Sequence, residues 1–385
     1  LNSYQIYHTV EALPKTWDAL VSHDMFLQKN YLRCLEHAAP NNIQLFYVGI
    51  FNGATLVGIA ILQRVQLYLK DMFRNTKVSC FKEFIKEAVS KVLKGNILVV
   101  GNLMHTGQHG LFFQKEHIPA ERYLKLVFEA VEVLKIEIKK KQGKTIRAIM
   151  FKDFFEDDAI HLERGFFTKN KLHKVMVQPN MIMPVKPEWL SIHDYFSALQ
   201  KKYKLRYKRA RTKLGNIEAK ELTLEAIREH SQVLHGLYLN VCNHAKFNSF
   251  FLPENHFACL KESLHDNFKV FGYYLDDKLV GFYTLLLNNK HLETYFLGYD
   301  SEHQHSHQLY LNMLYDMAKY GIENRFSSIV YARTAMEIKS SVGAQAIKMQ
   351  VYIKHTNGFM NAMLKQIFNL MDPKQNWEER HPFSS

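Results

Sequence analysis

Two stretches far apart in the chain carry the same pattern of apolar and turn-forming positions. Tyr47-Val-Gly-Ile-Phe-Asn-Gly-Ala-Thr-Leu-Val-Gly-Ile59 recurs as Val270-Phe-Gly-Tyr-Tyr-Leu-Asp-Asp-Lys-Leu-Val-Gly-Phe282, with Gly49, Leu56, Val57 and Gly58 matched by Gly272, Leu279, Val280 and Gly281. Asn52-Gly53 and Asp276-Asp277 lie between the apolar runs, and these residue types tolerate the positive φ of a tight turn. Each copy therefore reads as a β-hairpin, and their recurrence so far apart suggests a duplicated domain.

The pattern around each hairpin predicts an alternating order of elements. In the first half, Ile43 to Val65 gives the hairpin and Ile97 to Gly101 a short strand. Ala120 to Lys141 is a helix with Leu124, Val127, Phe128, Val131 and Leu134 at helical spacing. Arg147 to Phe151 is a strand, Glu156 to Arg164 is helix-like and stops at Gly165, and Lys174 to Val185 is extended. The second half repeats this. Ile192 to Lys213 and Leu224 to His244 are helical, Phe268 to Leu287 is the hairpin, and His291 to Tyr299 is a strand. Gln308 to Ile322 is a helix, Ser327 to Arg333 a strand, Ala335 to Ser341 a short helix closing at Gly343, and Ala346 to Lys354 the last strand. Met-Pro-Val-Lys-Pro at 183–187 interrupts regular structure, so domains of residues 1–186 and 187–385, the second with a C-terminal extension, are expected. The fold class is α/β of the α+β type, each domain a mixed, mostly antiparallel sheet flanked by helices.

Composition narrows the partners. A chain of 385 residues, 47% hydrophobic and 23% charged, is folded and long enough for two cores. Lys plus Arg outnumber Asp plus Glu by 50 to 37, and the net charge of +13 favours anionic partners. Cys34, Cys80, Cys242 and Cys259 lack CxxC spacing and read as reduced thiols. No stretch approaches the roughly 20 apolar residues of a membrane span, and the N-terminus has no signal-peptide pattern, so a cytoplasmic location is expected. A trimmed start is left open, because the chain does not begin with Met.

Hairpin, strand, helix, strand, helix, strand resembles the GNAT acyltransferase fold. Two copies in one chain resemble the tandem-GNAT group, which includes Fem-type peptidyltransferases and cellulose-cluster acetyltransferase-like proteins. The stretch Tyr331-Ala-Arg-Thr-Ala-Met-Glu-Ile-Lys-Ser-Ser-Val-Gly-Ala344 is similar to a strand-to-helix segment of uncharacterised bacterial members. The resemblance implies that a thioester donor lies where two strands splay apart, its pyrophosphate held by backbone N–H groups of a Gln/Arg-x-x-Gly-x-Gly/Ala turn. The matching stretch here, Asp300-Ser-Glu-His-Gln-His-Ser-His-Gln308, has no glycine. His305, Ser306 and His307 are therefore the candidate donor contacts, and the alternate histidine spacing does not point to a metal. The first copy's equivalent, 101–110, is glycine-richer. It either keeps a pocket or only turns the chain, and the second copy is favoured for the chemistry.

Acyl transfer to an amine needs a base, oxyanion stabilisation and often an acid for the departing thiolate. Alternation along Leu292-Glu-Thr-Tyr-Phe-Leu-Gly-Tyr-Asp300 puts Glu293, Tyr295 and Tyr299 on one face, which makes Glu293 a candidate base. Asp300 is the alternative base. Against these stand a surface ion pair for Glu293 and a helix cap for Asp300. Tyr331 is the candidate acid, with Arg333 and Lys339 as holders of a carboxylate or phosphate, against packing and surface pairing. The run Lys201-Lys-Tyr-Lys-Leu-Arg-Tyr-Lys-Arg-Ala-Arg-Thr-Lys213 places Lys202, Arg206, Arg209 and Lys213 on one helix face, suited to phosphate or to an acidic membrane, or else simply solvated.

These features together predict an N-acyltransferase that uses acyl-CoA or an acyl carrier protein as donor, with no tightly bound cofactor. The acceptor is an anionic amine such as an amino-lipid, an amino-sugar or a cell-envelope precursor. The alternatives are a Fem-type transferase that takes its group from aminoacyl-tRNA, and a degenerate GNAT pair that only binds a partner. Other nucleic acid is not expected, because no RNA- or DNA-binding signature accompanies the basic run.

Overall fold

In a computed structural model of the chain, residues 2–67, 95–244, 248–370 and 377–383 are described. Cys80 lies outside them. The first half forms β1 (Asn2–Tyr7), α1 (Trp17–Leu20), α2 (Lys29–Ala38), β2 (Ile43–Asn52), β3 (Thr55–Leu67), β4 (Gly95–Val100), β5 (Leu111–Phe113), α3 (Ala120–Gln142), β6 (Ile146–Phe155), α4 (Arg164–Lys169) and β7 (His173–Pro184). The second half forms α5 (Ile192–Ala198), α6 (Lys201–Leu214), β8 (Glu218–Glu221), α7 (Leu224–Glu229), α8 (Ser231–His244), α9 (His256–Leu264), β9 (Phe268–Leu275), β10 (Lys278–Asn288), β11 (His291–Tyr299), α10 (Ser301–His307), α11 (Leu309–Glu323), β12 (Ser328–Val330), α12 (Met336–Ser340), β13 (Gln345–His355) and α13 (Gly358–Leu370).

The chain divides into two units, which are not contiguous halves. Unit 1 comprises residues 1–178, 246–252 and 348–374, and unit 2 comprises 179–245, 253–347 and 375–385. Unit 1 builds its sheet in the order β1-β2-β3-β4-β6-β13, antiparallel except for the parallel β4–β6 pair. Unit 2 builds the same pattern as β8-β9-β10-β11-β12-β7, antiparallel except for the parallel β11–β12 pair. The last strand in each sheet comes from the other half of the chain. Ser328 to Val330 pair with Pro184 to Ile182, and the rungs from Met349 to His355 pair with Phe155 to Ala148. The expectation of contiguous domains 1–186 and 187–385 differs from these units in the placement of β7 and β13. Alternation marks a strand but not which sheet edge it joins.

The repeated glycines have equivalent physical causes in the two units. In unit 1 a Cβ on Gly58 would stand 3.0 Å from the Tyr123 ring of α3. In unit 2 a Cβ on Gly281 would stand 2.7 Å from Met313 of α11. The Leu-Val-Gly phrase thus lets the long helix of each unit settle onto its hairpin. Turn chemistry closes the hairpins. Asp276 and Asp277 both take positive φ, 48° and 63°, between the paired Leu275 and Lys278, as a type I′ turn requires. In unit 1 the pairing of Asn52 with Thr55 moves the turn one residue on, to Gly53-Ala54, with Gly53 at φ 61°.

Each unit has its own core. Leu124, Val127, Val131 and Leu134 of α3 pack on Val48, Ile50 and Leu62 in unit 1. Leu309, Met313, Leu314 and Met317 of α11 pack on Tyr273, Tyr283, Leu285 and Leu292 in unit 2. Burial of these side chains, roughly 1.5–3 kcal/mol for each fully buried large apolar group, holds the helices on the sheets.

Candidate active site

The parallel pairing of β11 with β12 has three rungs, His291 with Ser328, Leu292 with Ile329 and Glu293 with Val330. The ladder ends there, while β11 runs on to Tyr299. Glu293 therefore sits on the last rung, 8% exposed, at the head of the gap that opens between the strands.

Beyond Glu293 the strand bulges. Tyr283 pairs with Leu297 but Leu285 pairs with Thr294, so Tyr295 and Phe296 together oppose Thr284 alone. The buried Thr284 hydroxyl donates to the Phe296 carbonyl at 2.7 Å and accepts from the Phe296 N–H at 3.1 Å, which pins the bulge. The extra residue shifts the alternation. Leu297 and Tyr299 share the α11 face with Tyr283 and Gly281, whereas Glu293 shares the opposite face with Leu286. The expectation that Glu293, Tyr295 and Tyr299 point the same way is thus corrected for Tyr299. On the Glu293 face, Phe257 of α9 packs edge-on against Phe282 with ring centroids 5.2 Å apart. The fully buried His256 places Nε2 2.9 Å from the Tyr295 hydroxyl.

The second feature is a cavity of about 820 Å³ lined by Lys201, Lys202, Tyr203, Leu205, Arg206, Arg209, Gln308, Leu311 and Arg380. Its walls are fixed by contacts on the other side of α6. Arg211 pairs with Asp316 of α11 at 2.7 Å and lies over the Tyr207 and Tyr315 rings. Asn312 donates to the Ala210 carbonyl at 2.9 Å. Lys202, Arg206 and Arg209 are thereby turned to the cavity, and among the described residues neither Arg206 nor Arg209 has an ion-pair partner. Gln308, left-handed at φ 48°, starts α11, whose N-terminal dipole end adds to the positive field.

Arg380 comes from a tail that sequence reading passed over. Gln200 donates its N–H to the Pro382 carbonyl at 2.8 Å, the Arg380 N–H donates to Ser340 Oγ at 3.0 Å, and the Arg380 guanidinium donates to Glu337 at 2.5 Å. The Phe383 ring lies where a Cβ on Gly343 would be, 2.6 Å away, so that glycine cannot be replaced without displacing the tail. The alternation of charge in Glu378-Glu-Arg380 was the available signal, but it names no partner.

A sheet whose central parallel pair parts beside a helix N-terminus ringed by cations invites comparison with known proteins. Residues 201–340 match the protein-family profile described as Acetyltransferase (GNAT) domain. The solved structure of FemX is similar over 94% of this chain and 99% of its own, with a TM-score of 0.53 at 11% identity. A tandem GNAT protein from the clavulanic acid biosynthesis pathway, solved without AcCoA, is similar over 93% of this chain and 99% of its own, with a TM-score of 0.53 at 9% identity. No curated protein sequence matches. The chain has the fold of a tandem GNAT protein, with the family's sequence signature in residues 201–340.

In the GNAT-matching unit the stretch 301–307 is a helix rather than an open turn. Asp300 caps α10 by accepting the Glu302 N–H at 3.0 Å, and it pairs with His303 at 3.2 Å and Lys278 at 3.7 Å. Burial pushes its carboxyl up, but the Glu302 N–H and the His303 and Lys278 charges outweigh that and hold it below its ordinary value. A low-pKa, ion-paired cap is a poor base, so the base role expected of Asp300 is not supported by its surroundings. His305, Ser306 and His307 do not line the cavity. Ser306 donates to the His303 carbonyl, and His307 Nδ1 lies 3.1 Å from the Lys213 carbonyl at the end of α6.

Tyr331 is buried, donates to the Leu314 carbonyl at 2.9 Å, and is raised far above the ordinary phenol range by burial. That geometry removes it from the acid role. Lys339 is buried too, and its Nζ donates to the Ala332 carbonyl at 3.3 Å and the Arg333 carbonyl at 2.5 Å. Burial pushes its pKa down to about 7. It braces a turn in which Ala332, Thr334 and Ala335 all take positive φ, 57°, 68° and 45°. Neither Lys339 nor Arg333 lines the cavity, so the structure groups Lys202, Arg206 and Arg209 and leaves these two apart from them.

Proposed function

We propose that this GNAT pair transfers an acyl group from a thioester donor, carried on coenzyme A or on an acyl carrier protein, to an amine on an anionic acceptor. The observation that carries this reading is the basic cavity at the start of α11, in the same unit as the parting of β11 from β12. Arg206 and Arg209, with Lys201, Lys202 and Arg380, bring five cations to one cavity, and a phosphate-bearing donor is the ligand that such a charge cluster attracts most strongly. Glu293 acts as base on the amine. It is 8% exposed on the last rung of the β11–β12 ladder, where the strands part and a reacting amine would enter.

Apolar side chains among the cations extend the reading to the acceptor. Tyr203, Leu205 and Leu311 share the lining, and Leu205 is 58% exposed between Lys204 and Arg206. An amino-lipid or envelope precursor offers an anionic head with apolar substance beside it, and α6 then rests on an acidic membrane surface from the cytoplasmic side. Among the described residues no helix is long and apolar enough to cross a membrane.

Thermal-shift screening against acetyl-CoA, long-chain acyl-CoA, acyl carrier protein and tRNA tests the reading. Stabilisation by a thioester is expected, about 2.7 kcal/mol at a ligand concentration 100 times Kd. Stabilisation by tRNA alone, or by none of the four, overturns it.

A further inference from the structure

With Tyr331 committed to a helix carbonyl, the departing thiolate needs another acid, and the bulge in β11 presents one. We propose that Tyr295 is the general acid of the reaction and that His256 is the residue that positions it, an assignment that rests on the acyl-transfer reading above.

Four observations converge on Tyr295. It is the first residue past Glu293 on the same face, beyond the last β11–β12 rung, so it stands where the strands part. It occupies a bulge, the local distortion that re-aims a side chain out of regular alternation, and the Thr284 hydroxyl holds that bulge through both backbone groups of Phe296. Its hydroxyl meets Nε2 of His256, 2.9 Å away, and the two rings lie 5.8 Å apart at 31°. His256 is fully buried, wedged edge-on against Phe257 and Phe296, whereas the Tyr295 side chain is only half-buried. A buried imidazole locked by aromatic neighbours fixes the phenol oxygen in one place, as a proton donor to a reacting atom requires.

The steps balance without another reactant. The amine nitrogen attacks the thioester carbonyl carbon, forming the C–N bond, and gives its proton to Glu293. The tetrahedral intermediate collapses with cleavage of the C–S bond, and the leaving sulfur takes the proton of the Tyr295 O–H. The phenolate that remains accepts a hydrogen bond from His256 in its Nε2–H tautomer. The proton on Glu293, two residues away on the same face, then returns to Tyr295. The products are the amide and the free thiol, with both side chains restored.

The test uses the full chain, Tyr295→Phe and His256→Gln, with acetyl-CoA and S-(4-nitrophenyl) thioacetate as donors and glucosamine 6-phosphate as the anionic amine. Tyr295→Phe keeps the ring and its packing, so the variant folds. It is expected to lower kcat with acetyl-CoA about 100-fold, with calorimetric binding of CoA changed less than threefold. The nitrophenyl thiolate leaves without a proton, so turnover of that donor should fall less than fivefold. His256→Gln, which keeps a donor for the tyrosine oxygen, should retain about a tenth of the wild-type kcat. Equal losses with both donors, or no loss with acetyl-CoA, overturn the assignment while leaving acyl transfer intact. Where only acyl carrier protein serves as donor, the acetylated carrier protein replaces acetyl-CoA in the same comparison; a wild-type chain that releases thiol from neither overturns the acyl-transfer reading, and the acid falls with it.

Discussion

At the scale of single residues, environment separates groups that look alike in sequence. Glu293 and Asp300 are both carboxylates on or after β11, but one is buried on the last rung of a ladder and the other is an ion-paired helix cap. Glu293→Gln is expected to lower acyl transfer by 10²–10⁴-fold with little change in stability, as steady-state rates and melting curves will show. Asp300→Ala is expected to keep kcat within about threefold and to lose about 1 kcal/mol of stability on urea titration. Because the folded-state pKa of Asp300 is depressed, its contribution is present above the unfolded carboxyl pKa of about 3.9 and is lost as pH falls through the lower folded value. Lys339 gives a slope of the same sign at higher pH, but as a penalty on its charged form rather than a gain from it. Its ammonium is disfavoured by burial, so between about pH 7 and the ordinary lysine value of about 10.4 the unfolded chain binds the extra proton, and stability rises with pH across that window. Lys339→Met should flatten this rise, as urea midpoints taken at several pH values will show.

At the scale of elements, the hairpins were the most legible features because turn residues and paired glycines are local signals. Gly58 and Gly281 recur since each unit needs the same close approach of a helix. The bulge at Tyr295-Phe296 was not legible, because a period-2 pattern carries no mark of an inserted residue, and one insertion sends Tyr299 to the other face. The seven-residue α10 was hidden for a related reason. Ser-Glu-His-Gln-His-Ser-His has no apolar stripe, and its helix depends on the Asp300 cap and the contact of His307 with the end of α6. The basic run of α6 was readable as a cationic face, but its closure into a cavity by Gln308 and Arg380 depends on packing between segments more than 90 residues apart. Thr284→Val should strip the bulge of its two side-chain hydrogen bonds, costing about 2–3 kcal/mol in denaturant titration and reducing kcat more than donor affinity. Gly298→Ala meets backbone atoms of α8 at 2.4–2.6 Å and should cost a further measure of stability, about 2 kcal/mol, by pushing that helix from the sheet.

At the scale of the whole molecule, duplication supplied one strand order twice, with β13 completing the sheet of unit 1 and β7 completing that of unit 2. The net charge of +13 finds its clearest structural expression in the cavity of unit 2, where five cations surround the start of α11. Salt should therefore weaken donor binding, since interactions at the exposed mouth are screened over about 10 Å at 0.1 M ionic strength. The most direct measurement is calorimetric titration of acetyl-CoA into the wild-type chain and into the Arg206→Ala/Arg209→Ala double variant at low salt. If the cavity holds the donor's phosphates, the wild type binds and the double variant binds at least tenfold more weakly, with an unchanged melting temperature. Equal affinity in the two proteins would contradict that placement.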